Sequence, residues 1–177
     1  GVEWYEIRYT AKGGKAMTVR VSAVDVSTVL TIKDDGEYSW SVRAVDYVGN
    51  TSEWTKGSSF IVDMTAPAII RDFTVTSAEA SKDISFSWSV PYDAMGVAGY
   101  IITIRKAVGT GYTTQYHYIS DPKATNVTLY NQEDGDYWFS IQAYDKAGNL
   151  SGSSSEKYVY VDASADAGND FNTATQL

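Results

Sequence analysis

The sequence predicts an all-β fold of antiparallel strands, a sandwich or a barrel, written as two similar stretches. Three observations carry that reading. Apolar and polar residues alternate with a period of two along most of the chain, and no long window shows the 3.6-residue apolar stripe of a helix. Turn residues, above all Gly49-Asn50 and Gly148-Asn149, punctuate the alternating runs. One pattern occurs twice, as DGEYSWSVRAVDYVGNTSEW over Asp35–Trp54 and as DGDYWFSIQAYDKAGNLSGS over Asp134–Ser153.

The elements follow in chain order. Tyr5–Tyr9 alternates as a first strand. In the first copy of the repeat, Tyr38, Trp40, Val42 and Ala44 share one parity and form a core face, with Ser39, Ser41 and Arg43 facing out. Phe60–Val62 is a short closing strand. Met64-Thr65-Ala66-Pro67 is small and proline-bearing, as a stiff junction would be. Beyond it, Asp83–Val90 places Ile84, Phe86, Trp88 and Val90 inward, and Tyr100–Ile104 alternates in the same way. In the second copy Tyr137, Phe139, Ile141 and Ala143 form the core face, and Val159–Val161 closes the unit. The match extends beyond the quoted string. Gly96-Val97-Ala98-Gly99-Tyr100-Ile101-Ile102 parallels Gly1-Val2-Glu3-Trp4-Tyr5-Glu6-Ile7, and Val159-Tyr160-Val161-Asp162 parallels Phe60-Ile61-Val62-Asp63.

The stretch ISFSWSVPYDAMGVAGYIITIRK, Ile84–Lys106, resembles strands B and C of a fibronectin type III domain, with Trp88, Pro91 and Tyr100 at familiar places. Leu129 followed by Tyr137 resembles the corner between strands E and F of that immunoglobulin-like sandwich, with a stretched spacing. The ending AYDKAGNLS…VYVD and the junction VDMTAP resemble tandem domains of large bacterial surface or secreted proteins. The resemblance implies a partial domain over residues 1–63 (strands C to G), a linker over 64–67, and a complete domain over 68–162. Residues 163–177 then read as a linker or the start of a further module.

Residues 67–95 supply strands A and B of the second domain, and the first domain has no counterpart to them. Tyr38, Trp40, Val42 and Phe60 are therefore expected to be partly uncovered. Each large apolar side chain left in water forgoes roughly 1.5–3 kcal/mol. Another segment of the parent chain, or a second copy by strand exchange, is expected to complete the first domain. A boundary that simply cuts the domain is the alternative.

Composition limits the function. The chain has 177 residues, 22 acidic against 14 basic, a formal charge of −8 and no cysteine. This acidic balance argues against nucleic-acid partners and anionic membrane surfaces, which need clustered Lys and Arg. No apolar run is long enough to cross a membrane, and the N-terminus lacks a signal-peptide profile. The single histidine, His117, lies between Tyr116 and Tyr118 on the opposite strand face. A lone histidine on a strand reads as exposed or structural rather than as the base of a nucleophilic triad, and one histidine without cysteine argues against a zinc site. The carboxylates Asp34, Asp35, Glu133, Asp134 and Asp136 sit in glycine turns at matched places in both repeats, which points to turn chemistry rather than a glycosidase pair. The chain is expected to be non-enzymatic, with no cofactor.

Calcium is the metal to consider, because hard oxygen ligands are plentiful. Asp63 and Asp162, at the ends of the closing strands, are the first candidates; Asp46 and Asp145, in D-x-x-G-N turns, are the second. Hydrogen bonding of these aspartates to turn backbone is the preferred alternative. The second repeat also carries outward-facing aromatics that the first lacks. Trp138 and Tyr144 alternate outward on strand F, and Tyr158 and Tyr160 on strand G, where the first repeat has Ser39, Val45, Ser59 and Ile61. Such a face stacks on sugars, anchors a protein, or simply pairs across strands.

Taken with the resemblance, these features predict a structural spacer module of an extracellular or cell-surface bacterial protein, with adhesion as an extension. The alternatives are a module binding a glycan or host protein, or an accessory domain of a secreted enzyme. Its partners would be neighbouring modules of the parent.

Overall fold

The computed structural model describes residues 1–77 and 81–162, so the tail expected to open a further module lies outside the described residues. The chain divides into two compact units, one spanning Gly1–Thr65 and the second beginning at Ala66. Every described regular element is a strand, as the period-two alternation predicts.

The first unit is a single antiparallel sheet of β1 (Val2–Ala11), β2 (Ala16–Ser22), β3 (Gly36–Asp46) and β4 (Ser58–Val62), in the order β2-β1-β3-β4. The second unit has two layers. One sheet contains β7 (Val97–Val108), β8 (Gly111–Ile119), β10 (Gly135–Asp145) and β11 (Lys157–Val161), in the order β11-β10-β7-β8. The other holds β5 (Thr74–Ser77), β6 (Ile84–Ser87) and β9 (Asn126–Leu129), in the order β5-β6-β9.

The four-stranded sheets of the two units share one register. Tyr5 pairs with Ala44, Ile7 with Val42 and Tyr9 with Trp40; in the second unit Tyr100 pairs with Ala143, Ile102 with Ile141 and Ile104 with Phe139. Their fates differ. In the second unit Tyr100, Ile102, Phe139, Ile141 and Ala143 are fully buried, because β5, β6 and β9 lay Ile84, Phe86 and their neighbours across them. Phe86 meets Phe139 edge-on at 5.0 Å and Trp88 meets Tyr100 at 5.1 Å, both favourable aromatic geometries. In the first unit no second sheet is present among the described residues, and Trp40 is 41% exposed.

Four sequence expectations are corrected. Tyr38, expected to be partly uncovered, is buried, its ring stacked on Phe60 at 5.6 Å. Ser27–Leu30, the counterpart of β9 and thus of strand E, forms no strand. In the second unit β9 pairs with β6, and the first unit offers no such partner for its backbone groups. Val90 does not point into the core: β6 ends at Ser87, ahead of Pro91, and Val90 is exposed. Ser41 does not face solvent; it is buried. The chain after the Gly49-Asn50 turn runs back along β3, with Ser52 N–H donating to the Ala44 carbonyl and Thr55 N–H to that of Val42.

Both units brace the start of their long central strand in the same way. The Tyr38 hydroxyl donates to the Asp34 carbonyl at 2.9 Å and the Tyr137 hydroxyl to the Glu133 carbonyl at 2.8 Å. A buried tyrosine satisfied by backbone just upstream is the corner known from immunoglobulin-like sandwiches.

The difference in cover has a measurable consequence. Phe139→Ala is expected to destabilise the second unit by about 3–5 kcal/mol, the usual cost of emptying a packed aromatic site. Trp40→Ala at the matching position is expected to cost the first unit far less, since that ring is 41% exposed. Urea unfolding of both variants, read on each unit's transition, checks the contrast.

Candidate functional site

The outer face of the β11-β10-β7-β8 sheet gathers several exposed aromatics of the second unit. Alternation places Trp138 outward on β10, and antiparallel register sets Tyr158 of β11 directly opposite it. Their ring centroids lie 5.4 Å apart. On the other side Tyr112 of β8 reaches over β7 to meet Trp138 edge-on at 5.2 Å. The Arg105 guanidinium stacks on Tyr112 at 4.5 Å and pairs with Glu156 at 2.7 Å. The Tyr158 hydroxyl donates to Asp136 at 2.6 Å, and that bond to a carboxylate holds the phenol above its ordinary pKa. The result is a row of three aromatic rings with a charge pair and an acid–phenol pair at its margins.

The four aromatic candidates do not all join this row. Tyr160 is exposed on the same face but pairs with Asp136 rather than with Trp138. Tyr144 is apart from the row, since six residues along a strand span roughly 20 Å. It lies across Gly99, where an added Cβ would meet the tyrosine hydroxyl at 2.5 Å, so its ring covers that glycine. The sequence reading passed over Tyr112, Tyr116 and Tyr118, all more than half exposed. Their signal was the alternation along β8 and its pairing to β7, where Tyr116 and Tyr118 sit beside Thr103 and Ile101.

Asp46 and Asp145 act as turn anchors. Asp46 accepts bonds from the Val48 and Asn50 backbone N–H groups at 3.0 and 2.8 Å and from the Asn50 side chain at 2.9 Å. Asp145 accepts from the Asn149 backbone and side chain at 2.9 and 2.8 Å. Gly49 and Gly148 take positive φ values of 86° and 91°, which the turn requires and glycine supplies without strain. Burial pushes the Asp145 carboxyl up, but the bonds from Asn149, Ala147 and Gly148 outweigh it and hold the group below the usual aspartate range. For Asp46 the Asn50 side-chain bond is the largest cause of a lowered value. Asp63 accepts from the Thr65 N–H at 3.4 Å, and Asp162 is half-buried just after β11. Among the described residues no three His, Asp or Glu side chains converge as a metal site would need.

The first unit holds a cluster that sequence reasoning missed altogether. Glu6 is buried on the sheet face opposite Tyr5 and Ile7, where it accepts from Arg43 Nε at 2.8 Å and Arg20 Nε at 3.3 Å. The Arg43 hydrogen bond is the main reason its carboxyl sits below the usual range. Arg8 and Arg43 stack on Trp54 at 4.2 and 4.6 Å, and Arg20 stacks on Trp4 at 4.9 Å. Trp54 follows the duplicated turn, and only the path of the chain back along β3 brings it to these arginines.

No family model matches the chain. Exoglucanase B of Cellulomonas fimi is 31% identical over 140 residues, covering 72% of this chain and 12% of that protein. Chitinase A1 of Niallia circulans is 26% identical over 152 residues, covering 82% of this chain and 20% of that protein. The chain thus spans a small fraction of the length of these curated relatives. Among solved structures, the crystal structure of chicken CNTN1 FN1–FN3 domains superposes with a TM-score of 0.59 at 20% identity, covering 91% of this chain and 56% of that one. That likeness establishes the fold.

Asp145 gives a test of the turn chemistry. Asp145→Ala leaves several donors around a buried position without their acceptor, a loss of about 1–3 kcal/mol at neutral pH. The folded carboxyl titrates below the unfolded one. Its stabilisation is therefore complete above the unfolded aspartate value of about 3.9 and drains away as pH falls through the lower folded value. The stability gap between the parent and Asp145→Ala is expected to be widest near pH 7 and to narrow below pH of about 4, as read by urea unfolding across that range.

Proposed function

We propose that this chain, built of tandem fibronectin type III-like sandwich units, is a non-catalytic spacer module of an extracellular bacterial protein that acts on polysaccharides. The observation that supports it best is the state of the carboxylates. Asp46 and Asp145 close turns, Asp136 holds Tyr158, and Glu133 pairs with Lys106. A glycosidase needs two carboxylates facing each other across a cleft, about 5–10 Å apart with room for substrate. These four acids are instead engaged by their own turns and strand edges. The polysaccharide context comes from the two bacterial relatives, an exoglucanase and a chitinase, each matched over a small part of its length.

A second reading has its own observation. The row Tyr112–Trp138–Tyr158 is exposed on both flanks and bordered by Arg105, Glu156 and Asp136, which suits a glycan that stacks and hydrogen-bonds at once. The steep tilts between the rings, 83° and 50°, favour cross-strand packing over a flat platform, so the spacer reading leads.

Both readings meet the same experiment. The purified chain, incubated with cellulose and with chitin, is expected to release no reducing sugar above the blank; release would overturn the non-catalytic assignment. Sedimentation of the chain with each insoluble polysaccharide tests the second reading. Binding that falls about tenfold in Trp138→Ala, worth roughly 1.4 kcal/mol, would support a stacking site. Binding equal in both proteins, or no binding, would retire it.

A further inference from the structure

An edge strand carries a row of unpaired backbone N–H and C=O groups. Folded proteins blunt such edges by keeping them short, charging them, or adding proline or a bulge. The described edges of this chain follow that rule with one exception. β4, β5, β9 and β11 are four or five residues long, and β11 carries Lys157 as well. β2, at the matching edge of the first unit, carries Arg20, which pairs with Glu6. The exception is β8, in the unit whose two sheets are both present. Gly111–Ile119 is nine residues of GYTTQYHYI, without Asp, Glu, Lys, Arg or Pro. Its register on β7 runs without a shift from Ile119 opposite Tyr100 to Gly111 opposite Val108, so no bulge bends it away. It stands last in its sheet, and among the described residues its backbone bonds only to β7. Tyr112, Tyr116 and Tyr118 on its outer face are 54, 59 and 66% exposed.

We infer that β8 pairs antiparallel with β8 of a second copy of this chain, about a two-fold axis at Gln115, so that two four-stranded sheets join into one. The strand is complementary to itself in that arrangement. Tyr112 falls opposite Tyr118 of the second copy, Thr113 opposite His117, and Thr114 opposite Tyr116, and each pair occurs twice. This antiparallel register overlaps all nine residues. Tyr112, Thr114, Tyr116 and Tyr118 share one parity, so aromatic–aromatic and Tyr–Thr pairs line the outer face of the seam, both favourable across strands. Tyr112 already leans over β7 onto Trp138, and Tyr118 of the second copy prolongs that row. No like charges meet at the seam, and the formal −8 of each copy acts only at a distance. A foreign strand finds no charge on this edge to select it, whereas a second copy brings a mate for every ring. The pairing also uses up the one long uncharged edge among the described strands, so it closes at two copies.

Sedimentation equilibrium of the full chain is expected to show monomer and dimer exchanging with a dissociation constant of about 10 μM to 1 mM. That range suits a seam smaller than the roughly 1,200 Å² of standard interfaces. Added salt is expected to tighten the dimer by screening the negative charge of the two copies. Gln115 is exposed, so Gln115→Lys and Gln115→Glu are expected to leave the urea transitions in place. Each variant alone sets like charges across the axis and is expected to dimerise at least about tenfold more weakly than the parent. Mixed in equal amounts, the two are expected to recover the parent's association or exceed it. Amide hydrogen exchange is expected to slow at alternate residues of Tyr112–Tyr118 as concentration rises. A parent chain that stays monomeric to about 1 mM would overturn the inference. So would a dimer indifferent to Gln115→Lys, or a mixture of the two variants that fails to associate. Protection confined to Tyr5–Tyr9 and Trp40–Ala44 would assign the dimer to the first unit's sheet and overturn it too.

Discussion

A β-sheet with one apolar face needs a second layer, and nearly everything in this molecule follows from whether that layer is present. The two four-stranded sheets have the same strand order pattern, the same register and closely similar inner faces. In the second unit β5, β6 and β9 close over that face, and a core of aromatic and β-branched residues reaches full burial. Each such side chain contributes a few kcal/mol relative to exposure, so the layer supplies much of the unit's stability. In the first unit the same inward-facing residues sit on a sheet whose layer is missing among the described strands. The loss of strand character at Ser27–Leu30 is a second effect of the same cause, because an edge strand without a neighbour to bond has little reason to form.

Polar chemistry plays a subordinate and local part. The duplicated D-x-x-G-N segment closes a reversal in which an aspartate gathers the N–H groups of its own turn, and the tyrosine at the strand's start ties down the preceding corner. These devices fix how the chain enters and leaves its long central strand. They also account for acids that would otherwise invite a catalytic or metal reading. Opposite the open face of the first unit, Glu6 among arginines and tryptophans shows another economy. A single buried carboxylate pairs with Arg20 and Arg43, which together with Arg8 cap two indole rings.

The aromatic row on the second unit sits between structure and function. Its geometry answers first to cross-strand packing, since Trp138 is wedged between Tyr112 and Tyr158 with tilted rings. Its exposure and polar margins leave it available to a ligand. Half of this site was legible in the sequence. Alternation assigned Trp138, Tyr158 and Tyr160 to one face, because neighbouring strands joined by a short reversal keep their parity. Tyr112 was not legible, for it comes from a strand two places away in the sheet, and only register brings it across Arg105. Tyr144 shared the parity but not the place, and the small Gly99 beneath it gave its ring somewhere else to lie.

By itself the sequence determined the strands, their inner faces, the turns and the repetition, all of which depend on local spacing: a period of two, glycine at positive φ, aspartate beside its own backbone. Tertiary structure decided what depends on residues distant in the chain. It removed the strand at Ser27–Leu30 for want of a partner, turned Val90 outward, buried Ser41, and drew Glu6, Arg43 and Trp54 together. Each of these outcomes is set by what packs opposite, and a linear pattern carries no information about that until the sheets have formed.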